Sequence, residues 1–375
     1  MAISSALKKL VLTILVVIIW SHPHAPSNCD AHLLKMCKLD QIYNLGDSIS
    51  DTGNLVREVG LATFCARPPY GESFFKKPTG RCSNGLLMID YIALDAGVPL
   101  LPPYKNSGAD FKHGVNFAVA GSTALPWYAL AAENVPSAVT NSSLSVQLDW
   151  LSAHFNSTTC HHEGRDCTKK VKNALFMFGT IGGNDYNYAL FEGKSMEELR
   201  SMVPQVVNAI LDGVRVMISH GATRVVVPGN FPIGCLPVHK TGLATNKSAA
   251  YDDNQCLKQL NEFANYHNQQ LQLAIHKLQK ENPNSIIVYA DYYNAYLFLL
   301  QYAKSHGFER ERACCGIGGR YNYNMSRMCG YRGVPVCPDP DRYVSWDGVH
   351  MTQQGYKIMA GWLLRDIFTK LQCHF

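Results

Sequence analysis

A serine, a histidine and an aspartate in this chain have the types and local spacing that nucleophilic acyl chemistry requires. Ser48 lies in the sequence Gly46-Asp47-Ser48 directly after an apolar run, and His350 follows Asp347 by three residues near the C-terminus. A serine hydroxyl needs a base to take its proton, and that base needs an acid that fixes its tautomer. We therefore predict Ser48 as the nucleophile, His350 as its base and Asp347 as the orienting acid.

Attack on a carbonyl also places negative charge on the former carbonyl oxygen, which requires hydrogen-bond donors. The predicted donors are the backbone N–H of Ser48, the backbone N–H of Gly121 and the side-chain amide of Asn184. Gly121 has no side chain to block a close ligand, and Asn184 follows two glycines in a loop. This chemistry uses no cofactor and no metal, and we expect neither.

Each of these patterns is common alone, because Gly-Asp-Ser is an ordinary turn and Asp-x-x-His often caps a helix. Their placement distinguishes them, since three of them follow apolar runs typical of buried strands. Five such runs lie at residues 41–45, 115–119, 174–178, 224–227 and 285–290. Short runs that are apolar on both faces indicate a parallel sheet, in which ligands bind at the carboxyl ends of the strands.

Helical patterns separate these runs. They lie at residues 86–96, 144–154, 196–220, 255–279 and 353–371, with Asn84 as the candidate N-cap of the first. The alternation predicts an α/β fold, a three-layer α/β/α sandwich around a mostly parallel five-stranded sheet. No linker divides residues 32–375, so we expect one domain. Residues 306–345 are rich in Cys and poor in periodicity, which predicts a loop-rich insertion held by disulfides.

Composition and missing motifs argue against several other function classes. Hydrophobic residues make up 47% of the 375 residues, and the net charge of +5 forms no basic stripe, which excludes disorder and argues against nucleic-acid binding. The chain has no G-x-S-x-G elbow and no H-E-x-x-H zinc motif, and Tyr188 stands where a P-loop needs glycine. We expect Asp51 and Asp185 to hydrogen-bond around the site rather than to react.

The first 31 residues predict a signal peptide, with cleavage between residues 21 and 31. Lys8 and Lys9 precede an apolar run at residues 10–20, which is too short to span a bilayer comfortably. An uncleaved signal anchor is the alternative. Removal of Cys29 leaves twelve Cys, an even number that favours disulfides in an oxidising compartment. Cys160 and Cys167 can close a small loop, and the other pairings stay open.

Four N-x-S/T sequons lie behind this predicted signal peptide. Their asparagines are Asn141, Asn156, Asn246 and Asn324. In a secreted protein such sequons predict glycosylated surface loops.

Four sequence blocks resemble plant GDSL-type esterases/lipases of the SGNH hydrolase superfamily, a resemblance that covers nearly all of the chain after the predicted signal peptide. The blocks are YNLGDSISDTGN at residues 43–54, GVNFAVAG at 114–121, IGGND at 181–185 and WDGVH at 346–350. Ile49 replaces the leucine that names the motif, a substitution of similar size. The resemblance implies a flavodoxin-like hydrolase fold.

The resemblance also implies the same roles for the matched residues. Ser48, Asp347 and His350 form the triad, and Ser48, Gly121 and Asn184 form the oxyanion hole. Residues 289–295 and 332–337 look most like the acetylajmalan esterase and sinapine esterase branch, which acts on small-molecule plant esters rather than on storage fat.

These expectations describe a serine esterase that hydrolyses a small-molecule plant ester, of acetyl or hydroxycinnamoyl type, through an acyl-Ser48 intermediate. The alternatives are an acyltransferase that passes the acyl group to an alcohol acceptor, and a catalytically silent secreted binding protein. We expect a monomer with an ester substrate, no nucleic-acid partner and no membrane anchor, in the apoplast or the vacuole. Trp127, Tyr128, Tyr186 and Tyr188 either line the substrate pocket or are ordinary aromatic residues.

Overall fold

Five short strands form the central sheet, and all of them run parallel. The computed structural model describes residues 32–135, 139–159 and 170–373. The predicted signal peptide, Cys29, Cys160 and Cys167 lie outside the described residues. The strands are β1 (Gln41–Leu45), β2 (Gly114–Asn116), β3 (Ala174–Phe178), β4 (Arg224–Pro228) and β5 (Ile286–Ala290). β3 is buried at every position, which explains why its run is apolar on both faces.

The strand order is β2-β1-β3-β4-β5. The chain leaves β1 toward β2 on one side and resumes with β3 on the other, so the loops after these strands diverge and open a crevice at the carboxyl edge. Leu45 pairs with Phe178 in the β1–β3 register, which places the loops that begin at residues 46 and 179 side by side. The predicted α/β fold with a parallel five-stranded sheet is confirmed.

β2 is shorter than the predicted run at residues 115–119. The cause is Asn116, whose side-chain oxygen accepts the N–H of Ala118 at 2.9 Å and whose amide donates to the Ser50 carbonyl oxygen at 2.6 Å. These bonds bend the chain out of the strand and over the loop after β1. Gly121 is thereby brought above the carboxyl edge of the sheet.

Helices cover both faces of the sheet. In chain order they are α1 (Asn54–Val59), α2 (Met88–Ala96), α3 (Trp127–Ala132), α4 (Leu144–His154), α5 (Gly183–Phe191), α6 (Met196–Ser219), α7 (Pro237–Gly242), α8 (Lys258–Glu281), α9 (Tyr292–Ser305) and α10 (Gln353–Lys370). α10 packs against α2 and α9 in one layer, and α6 packs against α4 and α8 in the other. The five predicted helices begin within three residues of these bounds, whereas α5, α9 and the three six-residue helices α1, α3 and α7 were not predicted.

Asn84 is not the N-cap of α2, contrary to the sequence-based expectation. Leu87 occupies that position, and Asp90 in the first turn accepts the Leu87 backbone N–H at 2.9 Å. Asn84 instead joins two loops, because its amide donates to Ser73 Oγ at 2.6 Å and its oxygen accepts the N–H of Gln353 at 2.6 Å. It thereby fixes the start of α10, just beyond His350.

α6 is long and apolar enough to pass a length and composition test for a membrane span. Half of that apolar window is buried within the domain, and the helix packs against α4 and α8. Its start is set by Ser195, whose hydroxyl accepts the N–H of Glu198 while Glu198 accepts the N–H of Ser195. These features are those of a core helix.

The predicted insertion at residues 306–345 contains a small second sheet as well as loops. β6 (Glu309–Ala313) pairs in parallel with β7 (Tyr343–Ser345). No period-two pattern marks β6 because the strand reads Glu-Arg-Glu-Arg-Ala, four charged residues on a half-exposed surface.

Within the described residues ten cysteines form five disulfides. The pairs are Cys37–Cys373, Cys65–Cys82, Cys235–Cys256, Cys314–Cys337 and Cys315–Cys329. The first ties the two ends of the domain together. Three others form a second core cluster with Tyr70 and Trp346, directly beneath the loop that carries Asp347 and His350.

Candidate active site

Ser48 lies in a tight turn directly after β1. Gly46 makes the turn possible, because it has a φ of 148° and a Cβ there would stand 2.7 Å from the Thr180 carbonyl oxygen. Backbone hydrogen bonds to the carbonyl oxygen of Asp47 then wind one turn around Ser48. The following helix begins only at Asn54, so Ser48 lies in the loop between the strand and that helix.

The structure brings Ser48, His350 and Asp347 into one chain of hydrogen bonds. His350 Nε2 lies 2.8 Å from Ser48 Oγ, and His350 Nδ1 lies 2.7 Å from Asp347 Oδ2. A carboxylate only accepts, so the imidazole proton resides on Nδ1 and Nε2 is free to accept the serine proton. This is the arrangement that a serine nucleophile and its base require.

The turn that carries Asp347 and His350 is held by Asp347 itself. Asp347 Oδ1 accepts the backbone N–H groups of Val349 at 3.0 Å and His350 at 2.8 Å. Gly348 has a φ of 95°, and a Cβ there would lie 2.3 Å from the ring of Tyr323. The Asp-Gly-Val-His sequence therefore fixes the acid and the base relative to each other before either meets Ser48.

Tyr70 donates a further hydrogen bond to Asp347. Its hydroxyl lies 2.8 Å from Asp347 Oδ2, the oxygen that also accepts from His350. Only 1% of Tyr70 is exposed, and its ring packs edge-on against Trp346. Burial and the Asp347 charge hold the pKa of Tyr70 well above its usual range, so the hydroxyl remains a donor. Sequence reasoning missed Tyr70, because no local pattern marks a contact across 277 residues.

The electrostatics of the pair suit a general base. Burial alone lowers the pKa of His350, but the charge and the hydrogen bond of Asp347 outweigh it and raise the pKa above the ordinary 6.5. Burial likewise favours the neutral form of Asp347, yet the charge of His350 and the donated hydrogen bonds hold the pKa of Asp347 below its usual value. Asp347 therefore stays ionised while His350 takes a proton.

The residues that carry the three predicted oxyanion donors, Ser48, Gly121 and Asn184, line the same cavity as His350. Among the described residues, the backbone N–H groups of Ser48 and Gly121 have no hydrogen-bond acceptor. One N–H of the Asn184 amide donates to the Ser122 carbonyl oxygen at 2.9 Å, which anchors the side chain and leaves its second N–H uncommitted. Uncommitted donors at a reactive serine are what an oxyanion hole needs.

Buried carboxylates position the loops around these donors. Asp51 accepts four backbone N–H groups, those of Gly53, Asn54, Leu55 and Ala120. Asp185 accepts those of Ala124 and Leu125, and burial raises the pKa of Asp185 to about 7. Neither carboxylate hydrogen-bonds Ser48 or His350, as we expected of residues that support the site without reacting.

Asp47 is a buried neighbour of Ser48. Its Oδ1 accepts from the Thr180 hydroxyl at 2.6 Å and from the Ile49 N–H at 3.0 Å. Burial raises the pKa of Asp47 to about 6, although these bonds and the charge of His350 oppose the rise. The bonds tie the Ser48 turn to the loop after β3.

A cavity of about 450 Å³ opens beside Ser48 and is largely apolar. Of the four candidate pocket aromatics, Tyr188 lines this cavity and its hydroxyl donates to the Gly121 carbonyl oxygen at 2.7 Å. Trp127 and Tyr128 are exposed on α3 and do not line it, and Tyr186 is buried against His267. Sequence reasoning missed the other apolar walls because they come from separate loops: Phe64, Phe191, Val238, Tyr323, Met325 and Met328.

The four sequon asparagines are not among the residues that line this cavity, although Asn324 stands between Tyr323 and Met325, which do. All four of their residues are exposed, namely Asn141, Asn156, Asn246 and Asn324. Each is therefore accessible to a glycan in the folded chain.

Comparisons with known proteins give a consistent result. The GDSL-like Lipase/Acylhydrolase family matches residues 42–363. Acetylajmalan esterase 1 of Rauvolfia serpentina is 45% identical over 345 residues, which cover 91% of this chain and 89% of the relative. A GDSL esterase/lipase of Arabidopsis thaliana is 46% identical over 333 residues, which cover 86% of this chain and 81% of that relative. Both relatives match along most of the chain.

Among solved structures, a member of the lipolytic protein G-D-S-L family from Veillonella parvula DSM 2008 is 12% identical. The match covers 88% of this chain and 99% of the other, with a TM-score of 0.36. So distant a likeness carries no information about the substrate.

Proposed function

Because the chain belongs to the GDSL-like lipase/acylhydrolase family and is a carboxylic ester hydrolase, we propose that it cleaves a small-molecule ester through an acyl-enzyme on Ser48. The observation that carries this proposal is the unbroken hydrogen-bond chain from Ser48 Oγ through His350 to Asp347. Relatives at 45% identity are named for an acetylated small molecule, which supports a small-molecule ester as substrate.

Acylation proceeds by two proton transfers through one imidazole. Ser48 Oγ attacks the ester carbon while His350 Nε2 takes the serine proton, and Asp347 stabilises the resulting imidazolium. The N–H groups of Ser48, Gly121 and Asn184 donate hydrogen bonds to the carbonyl oxygen as negative charge develops on it. When the intermediate collapses, His350 gives the proton to the departing alkoxide, and the acyl group remains on Ser48.

Deacylation repeats these steps with water. His350 takes a proton from the attacking water, the same donors hold the second oxyanion, and the carboxylic acid leaves as Ser48 regains its proton. An alcohol in place of that water gives an ester instead, so the acyltransferase alternative uses the same residues. Product analysis with and without an added alcohol separates hydrolysis from transfer.

A fluorophosphonate probe tests the nucleophile. It should label the wild-type chain and not Ser48→Ala, whereas Ser201→Ala, which removes an exposed serine on α6, should label fully. Equal labelling of Ser48→Ala would place the nucleophile elsewhere. No labelling of the folded wild type would favour the silent binding protein.

We further infer that the chain enters the secretory pathway and reaches the apoplast or the vacuole as a monomer. The disulfides of the described residues and the four exposed sequon asparagines support the secretory route. Enzymatic deglycosylation should lower the apparent mass of the chain purified from plant tissue, and alkylation without reduction should find few free thiols. An unchanged mass together with many free thiols would contradict it.

A further inference from the structure

Two cavities of very different size meet at Ser48. The large chamber has a volume of about 450 Å³, and a small chamber that shares Ser48 with it has about 50 Å³. Both are lined by Ser48, Asn184, Asn187 and Val349. His350 lines only the large chamber. An ester bound at Ser48 therefore has two unequal spaces for the two groups on either side of its reacting carbon.

The position of His350 decides which group enters which chamber. The alkoxy oxygen of the ester leaves only if it receives the proton held on His350 Nε2, so the alcohol must lie on the His350 side. That side is the large chamber. The acyl chain extends from the same carbon in another direction, so it points into the small chamber.

The small chamber admits only a short acyl group. A volume of about 50 Å³ holds a few groups the size of a water molecule, at roughly 10–15 Å³ each. An acetyl group fits within that space, whereas the aromatic ring and unsaturated chain of a hydroxycinnamoyl group do not. The small volume therefore favours a short acyl group, provided that the walls of the chamber do not move apart.

The walls of the small chamber are packed and cannot easily move apart. Phe231 is 9% exposed and packs against the rings of Tyr292 and Tyr296. The backbone of Asn230 exchanges two hydrogen bonds with the Asn268 side chain, at 2.7 and 2.9 Å. Packed interiors resist enlargement, so a longer acyl group would displace buried side chains.

The large chamber has the opposite character. Phe191 is 47% exposed and Met325 is 56% exposed, so its outer walls are free to adjust. Met328 and the Cys65–Cys82 disulfide add polarisable apolar surface. A volume of about 450 Å³ lies within the range of pockets that hold drug-sized ligands, about 300–1,000 Å³.

We propose that this enzyme is selective for esters that join a short acyl group, acetyl above all, to a bulky apolar alcohol. The proposal rests on the function proposed above and decides between its acetyl and hydroxycinnamoyl forms. Ser48 Oγ bonds to the acetyl carbon, the bond from that carbon to the alkoxy oxygen breaks, and the serine proton passes through His350 to the bulky alcohol. Water then releases acetate.

A pair of isomeric esters tests the assignment of the chambers. Naphthylmethyl acetate carries its ring on the alcohol, and methyl naphthylacetate carries the same ring on the acyl group, with similar intrinsic reactivity. The kcat/KM for naphthylmethyl acetate should be at least about 10²-fold higher than that for methyl naphthylacetate. A pocket already discriminates roughly 10–200-fold against a substrate with one excess methylene. Along naphthylmethyl acetate, propionate and butyrate, kcat/KM should fall steeply.

Two variants locate the limit in the small chamber. Ile233 is 7% exposed and lines only that chamber, so Ile233→Ala should raise the butyrate-to-acetate ratio of kcat/KM by roughly tenfold or more. Val238 lines only the large chamber, so Val238→Ala should leave that ratio unchanged. If Ile233→Ala fails to fold, Ile233→Val should shift the ratio in the same direction by less.

The outcomes separate this proposal from the one beneath it. Ser48-dependent hydrolysis of butyrate as fast as acetate, or of methyl naphthylacetate faster than its isomer, would overturn the assignment and leave the esterase intact. No turnover of any ester together with no fluorophosphonate labelling would overturn the proposed function itself. Steep loss with acyl length in the wild type, relieved by Ile233→Ala alone, would support both.

Discussion

Tyr70→Phe removes one hydrogen-bond donor from the triad and leaves every other contact of Asp347 in place. Asp347 Oδ2 then accepts only from His350, while Oδ1 keeps the N–H groups of Val349 and His350. The ring remains packed against Trp346, so no cavity larger than a hydroxyl forms. The substitution therefore changes how much negative charge Asp347 Oδ2 presents to His350 more than it changes the position of the carboxylate.

The size of the effect follows from that lost bond. A hydrogen bond to a charged group contributes about 1.5–3 kcal/mol, and the unfolding free energy should fall by up to that amount. The Tyr70 hydroxyl draws charge from the oxygen that faces His350, so its removal strengthens the pairing of Asp347 with the imidazolium. If about a third of the energy of the lost Tyr70–Asp347 hydrogen bond reappears as stronger pairing of Asp347 with the imidazolium, the pKa of His350 rises by about half a unit, at 1.36 kcal/mol per unit.

The assay is kcat/KM against pH for wild type and variant on one ester. The activity of both proteins should be lost as pH falls, and the midpoint for Tyr70→Phe should lie about half a unit higher. Tyr292→Phe is the control, because its buried hydroxyl has no partner among the described residues, and it should not move the midpoint. An unshifted or lowered midpoint in Tyr70→Phe would show that Tyr70 acts on stability alone.

Asn184→Ala should lower kcat by roughly 10²–10³-fold with little change in KM, and a raised KM at unchanged kcat would make Asn184 a binding residue instead. Asp347→Asn should lower kcat by about 10⁴-fold in a folded protein, because the imidazole tautomer is no longer fixed, and near-normal rates would contradict its role. In the wild type kcat/KM should rise with pH through a midpoint above about 6.5, because Asp347 raises the pKa of His350; a lower midpoint would refute that balance. Replacing Cys315 and Cys329 by Ala should lower the unfolding free energy by about 3 kcal/mol in denaturant titrations, and an unchanged midpoint would contradict this.

The strands of the central sheet were predictable from sequence alone, and so were the residues that we propose as reactive. A strand of a parallel sheet is covered on both faces, so it appears in the sequence as a short continuous apolar run. The five runs of this kind correspond to the five strands of the sheet. The residues of the triad and of the oxyanion hole are also marked locally. The turns that carry them require particular residue types. Gly46 beside Ser48 and Gly348 beside Asp347, for example, have positive φ angles, which favour glycine.

Only the tertiary structure decided what surrounds those residues. The Tyr70–Asp347 bond, the disulfide partners and the small charged strand β6 depend on segments that are far apart in sequence, and no periodicity encodes such contacts. The size of each chamber depends on how separate loops pack at Ser48. Phe231 and Ile233 follow β4 and close the acyl side, whereas Met325 belongs to the Cys-rich insertion and borders the open side. Volume is a property of the packed whole, because a cavity is the space that side chains from many segments leave between them.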